Sequence, residues 1–384
     1  MVLQNHHCGV YGQALYVFPV CEGGTVEFKP SEKQRAMGAT SHRNKSISKS
    51  AEKFREEAIL ARQVKHGEEV NDKGWKVKGF SLMTALKTCA AKQDLYQGSK
   101  IHADIRSSGL LEKDTYLGST LVSMYAKCGA LVRAQQVIDE LPVRDVVSWT
   151  ALIAGYVQHG HGKEALGCFH QMQSEGLSPN AITYSCILKA CGIMQDAEMG
   201  KQIHDEIVSQ GLLERNVVLG NALVDMYAKC GVLTKAHKVL DELSTRDVIS
   251  WTALIAGYVQ RGHGKEALGC FHRMRSEGLS PNAITYACTL KACGIMQEVD
   301  MGKQIHDEIV SEGLLEKNVV LGNALVDMYA KCGVFTKAHK VLDELPTQNV
   351  ISWTTLIAGY VRQEQGRELL AVLRECGARA SLQM

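Results

Sequence analysis

The chain has 384 residues, which is longer than one hydrophobic core usually grows, so two or three domains or one elongated array are expected. With 45% hydrophobic and 22% charged residues, the composition excludes a disordered or collagen-like chain. The 43 basic and 41 acidic residues leave a net charge of +2, so any binding of a polyanion must be local.

Six prolines and 6% aromatic residues favour helices over a β-sandwich. The 13 cysteines are odd in number and form no CxxC pair, which favours reduced thiols over disulfides or a zinc site. No stretch approaches 18 consecutive apolar residues, so no membrane span is expected. The composition therefore predicts an all-α protein that does not cross a membrane.

Residues 1–78 contain no repeat and form an N-terminal segment that we expect to be irregular or partly helical. Four serines and three basic residues resemble part of an organelle transit peptide: Ser41, Ser46, Ser48, Ser50, Arg43, Lys45 and Lys49. Glu22, Glu27 and Glu32 do not fit such a peptide, and no amphipathic arginine-rich helix opens the chain. A transit peptide is therefore one interpretation of this segment.

An internal duplication dominates the rest of the chain. Residues 146–247 and 248–349 align without a gap and differ at 15 of 102 positions. Trp149, Trp251 and Trp353 mark equivalent places 102 residues apart, so the array continues past residue 349. Units of this kind bury their apolar faces only against their neighbours, which predicts a solenoid.

Each 102-residue unit contains three helical hairpins, of 35, 36 and 31 residues. In the first hairpin, Gly160 and Gly162 mark the turn, and Gly176 and Pro179 end the second helix. Apolar residues at helical spacing define the two helices: Trp149, Leu152, Ile153 and Tyr156, then Ala165, Phe169 and Met172.

Three segments carry a family resemblance. "VVSWTALIAGYVQ…EALGCFHQMQSEGLSPN", "YSCILKACGIMQDAEMGKQIHDEIVSQGL" and "VLGNALVDMYAKCGVLTKAHKVLDEL" resemble the P, L and S repeats of plant pentatricopeptide repeat (PPR) proteins of the PLS subclass. The resemblance covers residues 79 to about 365 and implies an all-α, right-handed α-solenoid of tandem helix-turn-helix repeats, here without the family's C-terminal E/DYW deaminase domain. The letters P, L and S denote repeats of 35, 36 and 31 residues below.

The resemblance places the repeat boundaries as follows: L 79–114, S 115–145, P 146–180, L 181–216, S 217–247, P 248–282, L 283–318 and S 319–349. Residues 350–384 lack the "GLSPN" ending, which indicates a degenerate terminal P repeat or a cap.

The resemblance also implies binding of single-stranded RNA, with the fifth and last residues of each repeat facing the edge of one base. The expected pairs are Ser119 with Asp145, Thr150 with Asn180, Asn221 with Asp247, Thr252 with Asn282, and Asn323 with Asn349. From the residues alone another reading stays open, in which Asn and Asp are turn residues or helix N-caps and Thr is a solvated helix residue.

The second residue of each repeat packs against base faces in the family. These positions hold apolar residues in this chain: Tyr116, Val147, Ile182, Val218, Ile249, Ile284, Val320 and Ile351. We expect Val147, Val218, Ile249 and Val320, in the P and S repeats, to sandwich bases. Ordinary packing between repeats is the equally weighted alternative, since β-branched residues are common in cores.

The family's pairing rules, carried over position by position, predict the RNA site 5′-G-A-N-U-A-N-Y-3′, with the 5′ end toward the N-terminus of the chain. Ser119 with Asp145 gives G, Thr with Asn gives A at two repeats, Asn221 with Asp247 gives U, and Asn323 with Asn349 gives a pyrimidine. The L repeats, with Ser185 and Asn216 or Ala287 and Asn318, offer no recognised pair.

No catalytic or metal site is predicted. The "HDE" at His204–Glu206 and His306–Glu308 matches half of a zinc-deaminase signature, but the P-C-x-x-C partner is absent. One histidine and one cysteine recur with the repeat, which indicates that they hold structural positions. They are His102, His204 and His306, and Cys89, Cys191 and Cys293. "HGHGKEAL" at 159–166 lacks P-loop spacing. We therefore expect no enzyme activity and no cofactor.

Together these features predict a site-recognition factor for RNA processing or C-to-U editing, an RNA modification carried out in trans by a partner protein. Family membership implies the mitochondrion, with the chloroplast as the alternative. No membrane or DNA partner is expected. The repeats are slightly acidic, with 8 basic against 11 acidic residues in 146–247, so only a few residues contact phosphates. The alternative function is a protein-interaction scaffold of the tetratricopeptide type.

Overall fold

The computed structural model describes residues 72–382 apart from 113, 215, 317, 346 and 347. These residues form eighteen helices and no strand. The helices are α1 Asp72–Lys92, α2 Leu95–Ser107, α3 Thr115–Lys127, α4 Leu131–Glu140, α5 Val146–Gln158, α6 Gly162–Ser174, α7 Ala181–Met194, α8 Ala197–Ser209, α9 Val217–Lys229, α10 Leu233–Glu242, α11 Val248–Gln260, α12 Gly264–Ser276, α13 Ala283–Met296, α14 Val299–Ser311, α15 Val319–Lys331, α16 Phe335–Glu344, α17 Val350–Arg362 and α18 Gly366–Leu382. The predicted all-α solenoid is confirmed, and the N-terminal residues compared with a transit peptide, such as Ser41 and Glu22, lie outside the described residues.

Helix starts follow the repeat register. From α3 onward, each odd-numbered helix begins at the first residue of a repeat, whereas α1 begins at Asp72, ahead of residue 79. Gly160 and Gly176 adopt positive φ values of 80° and 77° at the two turns of the first P repeat, as their places in the sequence suggest. The α18 helix runs 17 residues, against 13 in α6, and no "GLSPN" sequence lies within it.

The hairpins stack in two layers. The first helices of neighbouring repeats pack directly on one another along the described array, and each second helix packs on its own first helix and the next one. Between α9 and α11 the approach is so close that a Cβ on Gly257 would lie 2.7 Å from the Cβ of Ala228. Second helices lie farther apart, and ion pairs such as Arg275 with Glu308 join them. The first helices of the repeats therefore form one continuous layer, and they are called the inner helices below.

The core runs between the layers and matches the predicted stripes. Trp149, Leu152 and Ile153 are fully buried, and the indole N–H of Trp149 donates to Glu175 at 2.9 Å. Trp251 is equally buried and donates to Glu277 at 3.0 Å. Each indole thus has the hydrogen-bond partner that a buried tryptophan needs. No helix among the described residues has the length and apolar content to cross a bilayer.

Candidate nucleic-acid interface

In the repeats from 79–114 to 319–349, the last residue is the N-cap of the next inner helix. A side-chain oxygen of this Asn or Asp accepts backbone N–H groups of the following turn, as N-caps do. After P and S repeats the ψ angles lie between 171° and 176° and a full capping box forms. After L repeats, ψ lies between 90° and 97°. The N-cap reading from sequence is therefore correct, and the L repeats differ from the others in backbone geometry.

The fifth residues lie deeper than the sequence suggested. Ser119, Thr150, Asn221 and Thr252 are only 6 to 9% exposed, because the next inner helix stacks over them. The reading of the threonines as solvated helix residues is thus wrong. These four side chains therefore expose little surface to a ligand that lies along the inner helices.

In the two P repeats, a hydroxyl of the next repeat links the fifth and last residues. The Thr252 and Thr285 hydroxyl oxygens lie 2.6 Å apart, and the Thr285 hydroxyl donates to Asn282 Oδ1 at 3.0 Å. The Asn282 Oδ1 also accepts the Thr285 N–H at 2.9 Å. Thr150, Thr183 and Asn180 repeat this arrangement, with 2.7 Å between the two hydroxyls. The predicted pairs therefore lie together.

Two of the S repeats also join their pairs. Asn221 Nδ2 donates directly to Asp247 Oδ2 at 2.9 Å, while the buried Asn221 Oδ1 has no hydrogen-bond partner. Asn323 and Asn349 are joined through the Ser352 hydroxyl, at 2.7 and 3.0 Å from their Oδ1 atoms.

The first S repeat uses a different bond. The Ser119 hydroxyl donates to the Tyr116 carbonyl at 3.0 Å, and Asp145 forms a capping box with Ser148. Ser119 and Asp145 thus occupy the same repeat positions as the other pairs, but no hydrogen bond or bridging hydroxyl among the described residues joins them.

The second residues form an exposed apolar row along the inner helices. All eight predicted positions, Tyr116, Val147, Ile182, Val218, Ile249, Ile284, Val320 and Ile351, are 38 to 69% exposed. The alternative that these side chains are buried between repeats is therefore wrong. Second and fifth residues are three apart and share one helix face, so each P and S repeat from 115 to 349 places an apolar side chain beside a polar pair.

Sequence reasoning missed a ninth member of this row. Phe80, the second residue of the repeat at 79–114, is 60% exposed. Extending the register back to the first L repeat would have found it. With it, every repeat from 79–114 to the terminal one carries an exposed apolar side chain at this position.

Basic residues on the same face come from the L repeats. Lys87, Lys189 and Lys291 are the ninth residues of their repeats and follow the second and fifth residues around the helix. In the last two S repeats, Lys229 and Lys331 pair with Asp225 and Asp327 one turn away. The L repeats therefore place one lysine each on this face, and helical spacing could have found them.

The recurring histidines and cysteines have structural surroundings. His204 Nδ1 lies 3.0 Å from the Tyr227 hydroxyl, and burial lowers the pKa of His204 below its usual range. Burial raises the pKa of Cys191 to about 12, which disfavours the thiolate that metal binding requires. His102 and His306 make the same tyrosine contact. Within residues 72–382, apart from the five gaps, no cluster of potential ligands could hold a metal ion.

A stack of helical hairpins in which every inner helix exposes an apolar side chain at the same position is typical of a helical-repeat protein. The PPR repeat family model matches residues 144–192 and 246–294, and the PPR repeat model matches 221–248, 323–350 and 351–377. The chain is a pentatricopeptide repeat protein.

Among its relatives in Arabidopsis thaliana, a chloroplastic PPR-containing protein is 37% identical over 294 residues, covering 77% of this chain and 47% of the relative. A mitochondrial one is 39% identical over 286 residues, covering 74% and 44%. The chain thus spans about half the length of these curated relatives.

Solved structures share the fold. The crystal structure of the PPR protein PPR10 in complex with an 18-nt psaJ RNA element superposes with a TM-score of 0.62 at 19% identity, covering 83% of this chain and 52% of that one. The structure of PPR10 from maize gives 0.52 at 23% identity, covering 76% and 44%.

Proposed function

We propose that the array binds single-stranded RNA in a sequence-specific manner, one base per repeat, and belongs to the PLS subclass. The observation that carries this proposal is the exposed apolar side chain on every inner helix, which lies beside a polar pair in each of the P and S repeats from 115 to 349. Bases offer flat faces for the apolar side chains and hydrogen-bonding edges for the polar ones. The likeness to PPR10, which was crystallised with RNA, supports the choice of ligand.

The cap geometry supports base selection by the last residue. Because Asn282 Oδ1 is held by the helix N-terminus, Nδ2 is the atom left to donate to a base. Adenine and cytosine present a ring-nitrogen acceptor at this edge, whereas guanine and uracil present an N–H donor. Asp247 has a second oxygen, which is an acceptor, in place of the amide nitrogen. It therefore selects guanine and uracil, the bases that present an N–H donor.

Selection of RNA from a random pool at moderate salt tests the proposal. We expect enrichment of 5′-G-A-N-U-A-N-Y-3′, with the DNA version and a scrambled RNA as controls. Failure to enrich any sequence would favour the protein-interaction scaffold. Enrichment of an unrelated motif would show that the named pairs do not read bases.

The apolar row gives a prediction at Ile249. Ile249→Ser should change the free energy of unfolding by less than about 0.5 kcal/mol, since the side chain is exposed. It should weaken RNA binding about 5-fold through lost stacking on a base. Ile255, fully buried six residues later, is the matched control, because Ile255→Ser should destabilise the array instead. Filter binding and thermal melts measure the two effects, and unchanged affinity of Ile249→Ser would remove it from the interface.

The L-repeat lysines give a second prediction. Lys189→Ala should reduce the slope of log affinity against log salt by about 0.7, the value for one phosphate contact on a single strand. Lys201→Ala, on the second helix of the same repeat, is the control and should leave the slope unchanged. Equal slopes for the unmodified protein, Lys189→Ala and Lys201→Ala would mean that Lys189 lies away from the RNA backbone.

In the cell we propose a role as site-recognition factor for organelle RNA processing or C-to-U editing, with the chemistry supplied in trans by a partner protein. Chloroplastic and mitochondrial relatives support an organelle, and we propose the mitochondrion, with the chloroplast as the alternative. We assign the array itself no catalytic role. Co-purification of a processing protein with the tagged chain, lost on mutation of the base-facing pairs, tests this role.

A further inference from the structure

Each P or S repeat that ends in Asn is followed by a hydroxyl at the third residue of the next repeat. Thr183, Thr285 and Ser352 occupy this place, and all three are fully buried. The Thr183 and Thr285 hydroxyls donate to the Oδ1 of the preceding Asn at 3.1 and 3.0 Å. The single Ser352 hydroxyl proton can go either to Asn349 Oδ1, at 3.0 Å, or to Asn323 Oδ1, at 2.7 Å. Each of the three hydroxyls also lies 2.6 to 2.7 Å from a side-chain oxygen of the fifth residue. The hydroxyl thus contacts both members of the pair.

We infer that this third residue of the following repeat is a specificity-determining positioning residue, an inference that rests on the proposed RNA function. The Thr285 hydroxyl has one proton. When that proton goes to Asn282 Oδ1, the amide is fixed with Nδ2 outward. Thr252 must then donate to Thr285 or to the Val248 carbonyl, 2.6 Å away. Thr252 is left with a lone pair for the base, and Asn282 with a donor.

That polarity fits adenine. Adenine N6–H₂ donates and N1 accepts, which complements a Thr252 acceptor and an Asn282 donor. Guanine has the reverse pattern, with O6 accepting and N1–H donating. The Thr285 hydroxyl, called the relay hydroxyl below, therefore makes Thr252 an acceptor and Asn282 a donor at the same time. Neither side chain is left to rotate on its own.

The other repeats differ at this same position. After the S repeats that end in Asp, the hydroxyls of Ser148 and Ser250 donate to the backbone carbonyls of Asp145 and Asp247, at 2.8 and 2.9 Å. After the L repeats the third residue is leucine: Leu117, Leu219 and Leu321. Asp114, Asn216 and Asn318 are then held through backbone N–H groups. These L repeats lack the hydroxyl that joins the last residue to the fifth, so we expect them to select bases weakly.

Thr285→Val tests the relay, since it keeps the shape and removes the hydroxyl. The full chain is titrated against four RNAs that differ only at the base opposite repeat 248–282. We expect the preference for adenine over guanine to fall about 5-fold, the equivalent of one hydrogen bond. Thr285→Ser should retain it. Thr183→Val is the matched control and should change selection only at the base opposite repeat 146–180. Thr285→Ala serves in place of the valine variant if that variant does not fold.

The outcomes separate the relay from the function on which it rests. If the unmodified chain shows no base preference at this position, the proposed function fails there. If it selects adenine and Thr285→Val selects it equally well, the relay is wrong. A uniform loss of affinity for all four bases in Thr285→Val would reduce Thr285 to a structural capping residue and also overturn the inference.

Discussion

Trp251→Ala is expected to lower the free energy of unfolding by about 3–5 kcal/mol, the range for truncating a large buried aromatic residue. The indole is fully buried, donates to Glu277 and lies under the guanidinium of Arg273, 5.3 Å from the ring centroid. Solenoid repeats contact only their neighbours, so a local loss of this size weakens one interface within the array. Unfolding should then separate into two transitions.

Chemical denaturation followed by circular dichroism measures the effect, with two controls in the same chain. Trp251→Phe retains an aromatic ring and loses the N–H, so a smaller loss of about 1–2 kcal/mol is expected. Trp149→Ala removes the equivalent indole from the duplicated unit and should cost nearly as much as Trp251→Ala, since Trp149 is equally buried and bonds Glu175 in the same way. A single unchanged transition in Trp251→Ala would contradict the nearest-neighbour account.

The helices were predictable because their signals are local and repeated. Trp149, Leu152 and Ile153 mark one face at helical spacing, and all three are buried as that spacing requires. Gly160 and Gly176 end their helices with positive φ, a conformation that glycine adopts readily. Residues 72–78 of α1 fall in the segment that the sequence predicts to be irregular or partly helical.

The candidate site was only partly predictable. The sequence treats N-cap and base reader as alternatives for Asn282, whereas the cap occupies Oδ1 and leaves Nδ2 free to face a ligand. The burial of Thr252 depends on the stacking of the next inner helix, and spacing within one repeat does not reveal it. The same stacking brings Thr285 into contact with Thr252 across 33 residues, so the relay becomes visible only in three dimensions.

Asn282→Asp is expected to move base preference at the fifth position of the RNA site from adenine to guanine. Aspartate caps helices as well as asparagine does, so the free energy of unfolding should change by less than about 0.5 kcal/mol. The atom that faces the base changes from an N–H donor to an oxygen acceptor. Adenine N1 then meets a carboxylate, whereas guanine N1–H gains a partner, and we expect each mismatch to cost about 1–3 kcal/mol.

Competition binding with four RNAs that differ only at this base measures the change. Asn180→Asp is the matched variant, because its cap and its threonine contacts duplicate those of Asn282, and it should shift only the second base of the site. Asn216→Asp, at the end of an L repeat with a different cap backbone, should shift no preference. If Asn282→Asp instead weakens binding equally for every base, the role of Asn282 is confined to capping α13, and the base at that position is read by other residues.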